Sequence, residues 1–150
     1  MNTEIIAGLH ESDNKKAYAL LQHLEMISEV SSELYGYLED FIEMTEDLNS
    51  YIRVRGFRLA CAQAKWDAEN RLDADLDMLL RVLDDEKPTA VRQCLAALHK
   101  VIICKPNLGE RILARMDEID LSKYKYSMAP LIRKDMEALA RKITEKQGEK

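Results

Sequence analysis

The sequence predicts an all-α chain in which helical hairpins stack into an α-α superhelix, about three hairpin repeats closed by a C-terminal capping helix. Three observations carry this expectation. Leu72, Leu76, Leu79, Leu80 and Leu83 fall at the i, i+4, i+7, i+8, i+11 spacing of one helix face. The spacing recurs at Leu34, Leu38, Phe41, Ile42 and Thr45, and again at Leu108, Ile112, Arg115, Met116 and Ile119. From Leu34 to Leu72 the shift is 38 residues, and from Leu72 to Leu108 it is 36. The preceding helices align too, with Ala17, Leu21 and Leu24 matching Ile52, Gly56 and Leu59, then Val91, Leu95 and Leu98. The repeats are expected at about 12–48, 49–85 and 86–120, and the capping helix at about 127–145, in one domain spanning 1–150.

In chain order, Met1 to Glu11 reads as a lead-in whose Ile5-Ile6 pair covers the open end of the first repeat. Ser12, Asp13 and Asn14 supply N-cap chemistry for a helix bearing Ala17, Leu20, Leu21, Leu24 and Ile27. Val30-Ser31-Ser32 makes the next turn, with Ser32 as cap of a helix from Glu33 to Glu46. Asn49-Ser50 caps the third helix. Gly56 inside it costs about 1 kcal/mol against Ala, so its expected use is close approach of a neighbouring helix, helped by Ala60, Ala62 and Ala64. The leucine helix then runs from Glu69 to Leu83 and ends near Asp84-Asp85. Pro88 suits the first turn of the following helix, where a missing N–H would be unpaired anyway, and Pro106 repeats the device. Leu121 to Tyr126 reads as a linker, and Ser127 begins the last helix, with Met128, Leu131, Ile132, Met136, Leu139 and Ile143 on one side. Lys134, Arg141, Lys142 and Glu145 give that terminal helix a polar outer face. Gln147 to Lys150 is expected to fray.

A short loop with Asn, Asp or Pro precedes an aliphatic-Arg pair, Ile52-Arg53 and Val91-Arg92, and then come small residues in a first helix and a leucine-rich second helix. This pattern resembles HEAT-type repeats of the armadillo-like α-solenoids over nearly the whole chain. With Asn49-Ser50-Tyr51-Ile52-Arg53, Lys65-Trp66-Asp67 and Leu121-Ser122-Lys123-Tyr124, the chain is also similar to small bacterial HEAT-like proteins, some of which carry the label SufBD protein. The iron-sulfur assembly subunits evoked by that label are β-rich, and nothing in this chain reads as a strand. The resemblance implies a fold far more than an activity.

Composition narrows the classes. A chain of 150 residues can bury roughly 68–70% of its unfolded surface as one domain. Its 47% hydrophobic content is ordinary for a globular chain, and no apolar run is long enough for a bilayer span. The start, Met-Asn-Thr-Glu, lacks the regions of a secretory signal. Three cysteines without a C-x-x-C pair point to a reducing compartment, the cytoplasm by default. Net charge is -5 overall, but residues 1–50 hold two basic against eleven acidic residues, -9, and the remainder 20 against 16, +4. An acidic first third disfavours a phosphate-binding surface there.

Few residues suggest chemistry. His10, His23 and His99 are scattered without metal-ligand spacing. HEAT-built enzymes resembling deoxyhypusine hydroxylase hold two irons with repeated His-Glu pairs, whereas His10-Glu11 is the single such pair in this chain, so no metal and no cofactor is expected. Cys61, Cys94 and Cys104 have no partner at motif spacing and read as core filler. The five glycines are isolated, so there is no phosphate loop, and no Ser-His-Asp signature exists; no catalytic residue is assigned. Asp135 falls on an apolar helix side between Ile132 and Leu139, and reads as a general acid or base with raised pKa, as the partner of an Arg, or as a carboxylate at the rim of the capping helix.

Two binding surfaces remain. On the second helices, the positions opposite the leucine stripes are Gly36, Glu39, Asp40 and Glu43, then Ala74, Asp77, Met78 and Arg81, then Glu110, Leu113, Ala114 and Asp117. In HEAT-like stacks these helices line the concave side, which implies an acidic groove with a small apolar centre. Such a groove repels phosphates and fits a basic amphipathic helix or tail of another protein; ordinary solvated helix faces give the same pattern. The expected function is therefore a non-catalytic protein-protein interaction module. The alternative is a nucleic-acid-binding or DNA-repair protein, since Trp66, Arg111, Arg115, Tyr124 and Tyr126, with Arg53, Arg55, Arg58 and Arg92, resemble the basic, aromatic surface of HEAT-like DNA glycosylases. In that comparison Trp66 also reads as a hairpin closure, and Arg53 and Arg92 as repeated structural arginines.

Overall fold

The fold is described by a computed structural model covering residues 3–149, so the Met1 end of the lead-in and Lys150 lie outside the described residues. Every regular element among them is helical, with no strand. In order they are α1 (Thr3–Leu9), α2 (Asn14–Val30), a 3-10 turn (Tyr35–Tyr37) entering α3 (Leu38–Met44), and α4 (Ser50–Ala62) followed by a 3-10 turn (Ala64–Trp66). Next come α5 (Arg71–Ala74), α6 (Leu76–Leu79) and a 3-10 turn (Leu80–Asp84). α7 (Pro88–Cys104), a 3-10 turn (Pro106–Leu108) with α8 (Gly109–Met116), a 3-10 turn (Leu121–Lys123) and α9 (Ala129–Gln147) complete the chain.

The packing order follows the sequence order. α4 lies between α2 and α7, and α7 between α4 and α9, while α3 packs on α4, the Leu80–Asp84 turn on α7, and α8 on α9. All five members of the leucine stripe are buried, as are Leu34, Leu38, Phe41, Ile42 and Thr45 upstream and Leu108, Ile112, Met116 and Ile119 downstream. No short helix here can hide its apolar face alone, so each stripe is covered by the neighbouring long helix. Ile5 and Ile6 pack against this core from α1, which is helical where a bare lead-in was expected.

Gly56 performs the role its position suggests. A Cβ there would meet the Met44 Cβ and the Phe41 carbonyl oxygen at 2.5 Å, so α3 crosses α4 on backbone. The shorter α4, 13 residues against 17 in both α2 and α7, packs against both of these longer helices.

Several boundaries differ from expectation. The leucine helix is broken rather than continuous from Glu69 to Leu83: Asn70 is left-handed (φ 56°), Asp75 leaves the helical region, and the last turn tightens to 3-10. Aspartates favour such breaks by competing for backbone hydrogen bonds, and the Asp73 carbonyl accepts from Arg111 Nη1 at 2.9 Å. The stripe stays buried because these short pieces keep one direction. Ser32 does not cap; the Ser31 hydroxyl accepts from the Glu33 N–H instead, and α3 starts at Leu38 after its 3-10 turn. Pro106 opens a 3-10 turn before α8, and α9 begins at Ala129 rather than Ser127. Asp13, Asn49 and Pro88 sit at helix starts as their chemistry demands.

Candidate functional site

The second-helix side holds most of the residues singled out for partner binding. Glu39, Glu43, Asp77, Arg81, Glu110 and Asp117 are exposed, and Asp40, Met78 and Leu113 are half-buried. Met78 and Leu113 lean on the core, so the apolar centre of this side is smaller than the helix pattern implies. Part of its charge is neutralised between neighbouring helices. Arg111 Nη2 pairs with Asp77 at 3.2 Å, and Arg81 Nη1 reaches Glu46 at 3.6 Å. At one end of this side, Glu46, Asp47, Asp84 and Glu86 surround Met78 and Arg81 in a hollow of about 470 Å³, beside Leu48, which is 99% exposed.

The nucleic-acid candidates are not brought together as a free basic surface. Trp66 Nε1 donates to the Ser28 carbonyl at 2.7 Å, tying the end of α4 to the end of α2. Tyr124 is buried with its hydroxyl on the Asp85 carbonyl, and Arg115 is paired with Asp84. Arg53 and Arg92 hold Asp85 and Asp135, at 2.8 and 2.6 Å. Asp135 is thus an ion-pair partner of α7. Tyr126 is 91% exposed.

Four aspartates form a recurring device that residue patterning missed. The side chains of Asp13, Asp47, Asp85 and Asp120 each accept from the N–H two residues on, that of Lys15, Asn49, Lys87 and Ser122, at 2.8–3.1 Å. Their spacing, 34, 38 and 35 residues, was available in the sequence, but a D-x-x turn is too common to stand out without geometry.

A buried polar cluster ties the other ends of the long helices. Asp67, fully buried in its side chain, accepts from Tyr35 Oη at 2.5 Å and from the Arg71 and Leu72 N–H groups at 3.0 and 2.8 Å. Lys105 Nζ stands 3.3 Å from Asp67 and 2.8 Å from Asp73, and also donates to Asn70 Oδ1. Burial alone would raise the Asp67 pKa, but the bonds from Tyr35, Leu72, Arg71 and Lys105 outweigh it and hold it below the usual carboxylate range. Burial, followed by the bond to Asp67, pushes Tyr35 up to about 12. Every member has a partner, so the cluster locks three turns together rather than presenting a reactive group.

A hollow with aromatic and aliphatic walls lies on the first-helix side. It is a trough of about 390 Å³ over α4, flanked by the starts of α2 and α7, with Tyr18, Leu21, Tyr51, Val54 and Ala90 among its walls. Farther along, Lys100 of α7 reaches Glu29 of α2 at 3.7 Å across α4.

Among the described residues no group of three or more His, Cys, Asp or Glu is placed to hold a metal ion, and no helix is long and apolar enough to cross a membrane. Cys61 and Cys94 are buried free thiols whose pKa burial drives upward, and Cys104 is exposed. Comparison of the chain with protein-family models, with curated proteins and with solved structures finds no match.

Proposed function

We propose that the chain is a non-catalytic protein-binding module, a small HEAT-like α-solenoid whose second-helix side receives a basic amphipathic segment of another protein. The observation that carries this reading is the exposure of Glu39 and Glu43 on α3 and of Glu110 and Asp117 at α8, none of them in an ion pair among the described residues, together with the acidic hollow around Met78. Lys or Arg on the partner would face these carboxylates, and an aliphatic side chain would enter beside Met78 and Leu48. The solenoid reading draws support from the packing order of the long helices and the recurring aspartate turns. Three unpaired cysteines support a reducing compartment, the cytoplasm. The nucleic-acid alternative has less support, since Arg111 and Arg115 already hold carboxylates.

The test is fluorescence anisotropy with a labelled amphipathic peptide of Lys and Leu. Binding should weaken by about tenfold at low salt in the Glu39→Lys, Glu43→Lys, Asp77→Lys variant. Equal binding by this variant removes the proposed face.

A further inference from the structure

The charge lining the trough over α4 is of one sign. Its charged lining residues are Lys15, Arg55 and Lys87, and no carboxylate lines it among the described residues. This occurs in a chain of net charge -5, whose first 50 residues alone carry -9. Lys87 Nζ lies 5.3 Å from the Tyr51 ring centre, and both residues also line a neighbouring hollow in which Asp85 and Glu86 are matched by Arg53 and Lys87.

Arg55 is the second observation. Its side chain is buried, with the residue only 5% exposed, yet its hydrogen bonds go to neutral oxygens: the Leu9 and Glu11 carbonyls at 2.9 and 3.2 Å and Asn14 Oδ1 at 2.9 Å. By contrast, the well-covered cations Lys105, Arg58 and Arg115 each hold a carboxylate. A guanidinium withdrawn from water without a counter-charge is costly, and here it lines a trough whose apolar walls include Tyr18, Leu21, Tyr51 and Val54. The starts of α2, α4 and α7 also meet here, adding the positive ends of three helix dipoles.

From the charge and the walls together, we infer that this trough is a second binding site, which takes an acidic peptide segment of a partner protein with one aliphatic or aromatic side chain seated between Tyr18 and Tyr51. The anchor covers Leu21 and Val54, and Asp or Glu side chains on either side of it face Lys15 and Lys87 and supply the counter-charge that Arg55 lacks. The volume, about 390 Å³, lies within the range of about 300–1,000 Å³ typical of binding pockets. The site is independent of the second-helix side: it is of opposite sign and selects a partner of opposite charge.

The experiment is selection from a random linear peptide library on the immobilised full chain and on its Lys15→Glu, Lys87→Glu variant. Both lysines are exposed, and neither is part of the core. Peptides retained by the parent and lost by the variant should carry Asp or Glu flanking Leu, Phe or Trp. One such peptide, labelled, should bind about tenfold more weakly to the variant at low salt, and more weakly again when its apolar anchor is replaced by Ala. Its binding should be unchanged by Glu39→Lys, Glu43→Lys and Asp77→Lys, so that this site and the second-helix site fail separately. The inference is overturned if no peptide class is lost with the two lysines, if the lost class is not acidic, or if the Ala-substituted peptide binds as well. It is equally overturned if a single-stranded oligonucleotide binds the trough in preference to the peptides, or if sedimentation shows that the parent is a dimer which the variant dissociates.

Discussion

Lys105 stands 3.3 Å from the buried carboxylate of Asp67, joining the turn after α7 to the turn after α4. Both side chains are almost without solvent, and the Asp67 carboxylate serves two backbone N–H groups besides. Removing the Asp67 carboxylate leaves Tyr35 Oη and the Arg71 and Leu72 N–H groups without their acceptor, while Lys105 keeps Asp73 and Asn70. Asp67→Ala should therefore lower stability by about 3–5 kcal/mol. Lys105→Met should cost less, about 1–3 kcal/mol, because Tyr35 and the backbone still hold Asp67. Urea unfolding checks both, and near-neutral values for Asp67→Ala would show that the cluster contributes nothing net.

The same cluster sets a pH dependence. The folded-state pKa of Asp67 is depressed, as is that of Asp73, where burial is outweighed by bonds from Lys105 and Asn107. Their stabilisation is thus complete above the unfolded value of about 3.9 and is lost as pH falls through the lower folded values. For Lys105 burial is outweighed by Asp73 and Asp67, so its pKa is raised. Its share is present below about 10.4 and disappears as pH climbs past the folded value. Asp67→Asn should flatten the acid limb of a stability-pH curve while leaving a slope from Asp73; an unaltered limb would contradict the assignment.

Gly56 and Gly36 make a matched comparison. An added Cβ at Gly56 meets the Met44 Cβ and a carbonyl oxygen, while at Gly36 nothing lies within 4 Å. Gly56→Ala should destabilise by about 1–3 kcal/mol through overpacking, whereas Gly36→Ala should stay within about 0.5 kcal/mol of the parent. Similar values at both sites would mean that α3 and α4 are not in backbone contact.

The thiols should separate by reactivity. Cys104 is exposed, and Cys61 and Cys94 are buried. Near neutral pH, a disulfide reagent should modify Cys104 in the folded protein, more slowly than a free thiol because partial burial raises its pKa. Cys61 and Cys94 should react only on unfolding. Rapid modification of all three would place the Phe57 to Leu98 core in water.

The Arg92 to Asp135 pair spans α7 and α9 with both side chains partly exposed, 39% and 24%. Asp135→Asn should cost no more than about 1 kcal/mol. A loss of several kcal/mol, measured by thermal unfolding, would mean the carboxylate carries more than this surface pair.

Much of the helical layout was legible because it rests on local rules: 3.6-residue periodicity, Asn and Asp caps, Pro in first turns. The break at Asp75 was not, since Leu72 to Leu83 keeps helical spacing and the competing bond comes from Arg111, about one hairpin away. On the second-helix side Glu39, Glu43, Asp77, Glu110 and Asp117 are exposed, as outward positions follow from the stripe, whereas Asp40 is half-buried. Their pairing with Arg111 and Arg81 was hidden, as it depends on which neighbour each side chain meets.

By itself, the sequence determined that this chain is helical, where its apolar stripes lie, and that its acidic charge is concentrated early. Only the tertiary structure decided where the trough forms and which charges are left without partners. The physical reason is that both depend on distances between helices: the starts of α2, α4 and α7 come together at the trough, and Arg55 meets the Leu9 and Glu11 carbonyls and Asn14 there rather than a carboxylate among the described residues.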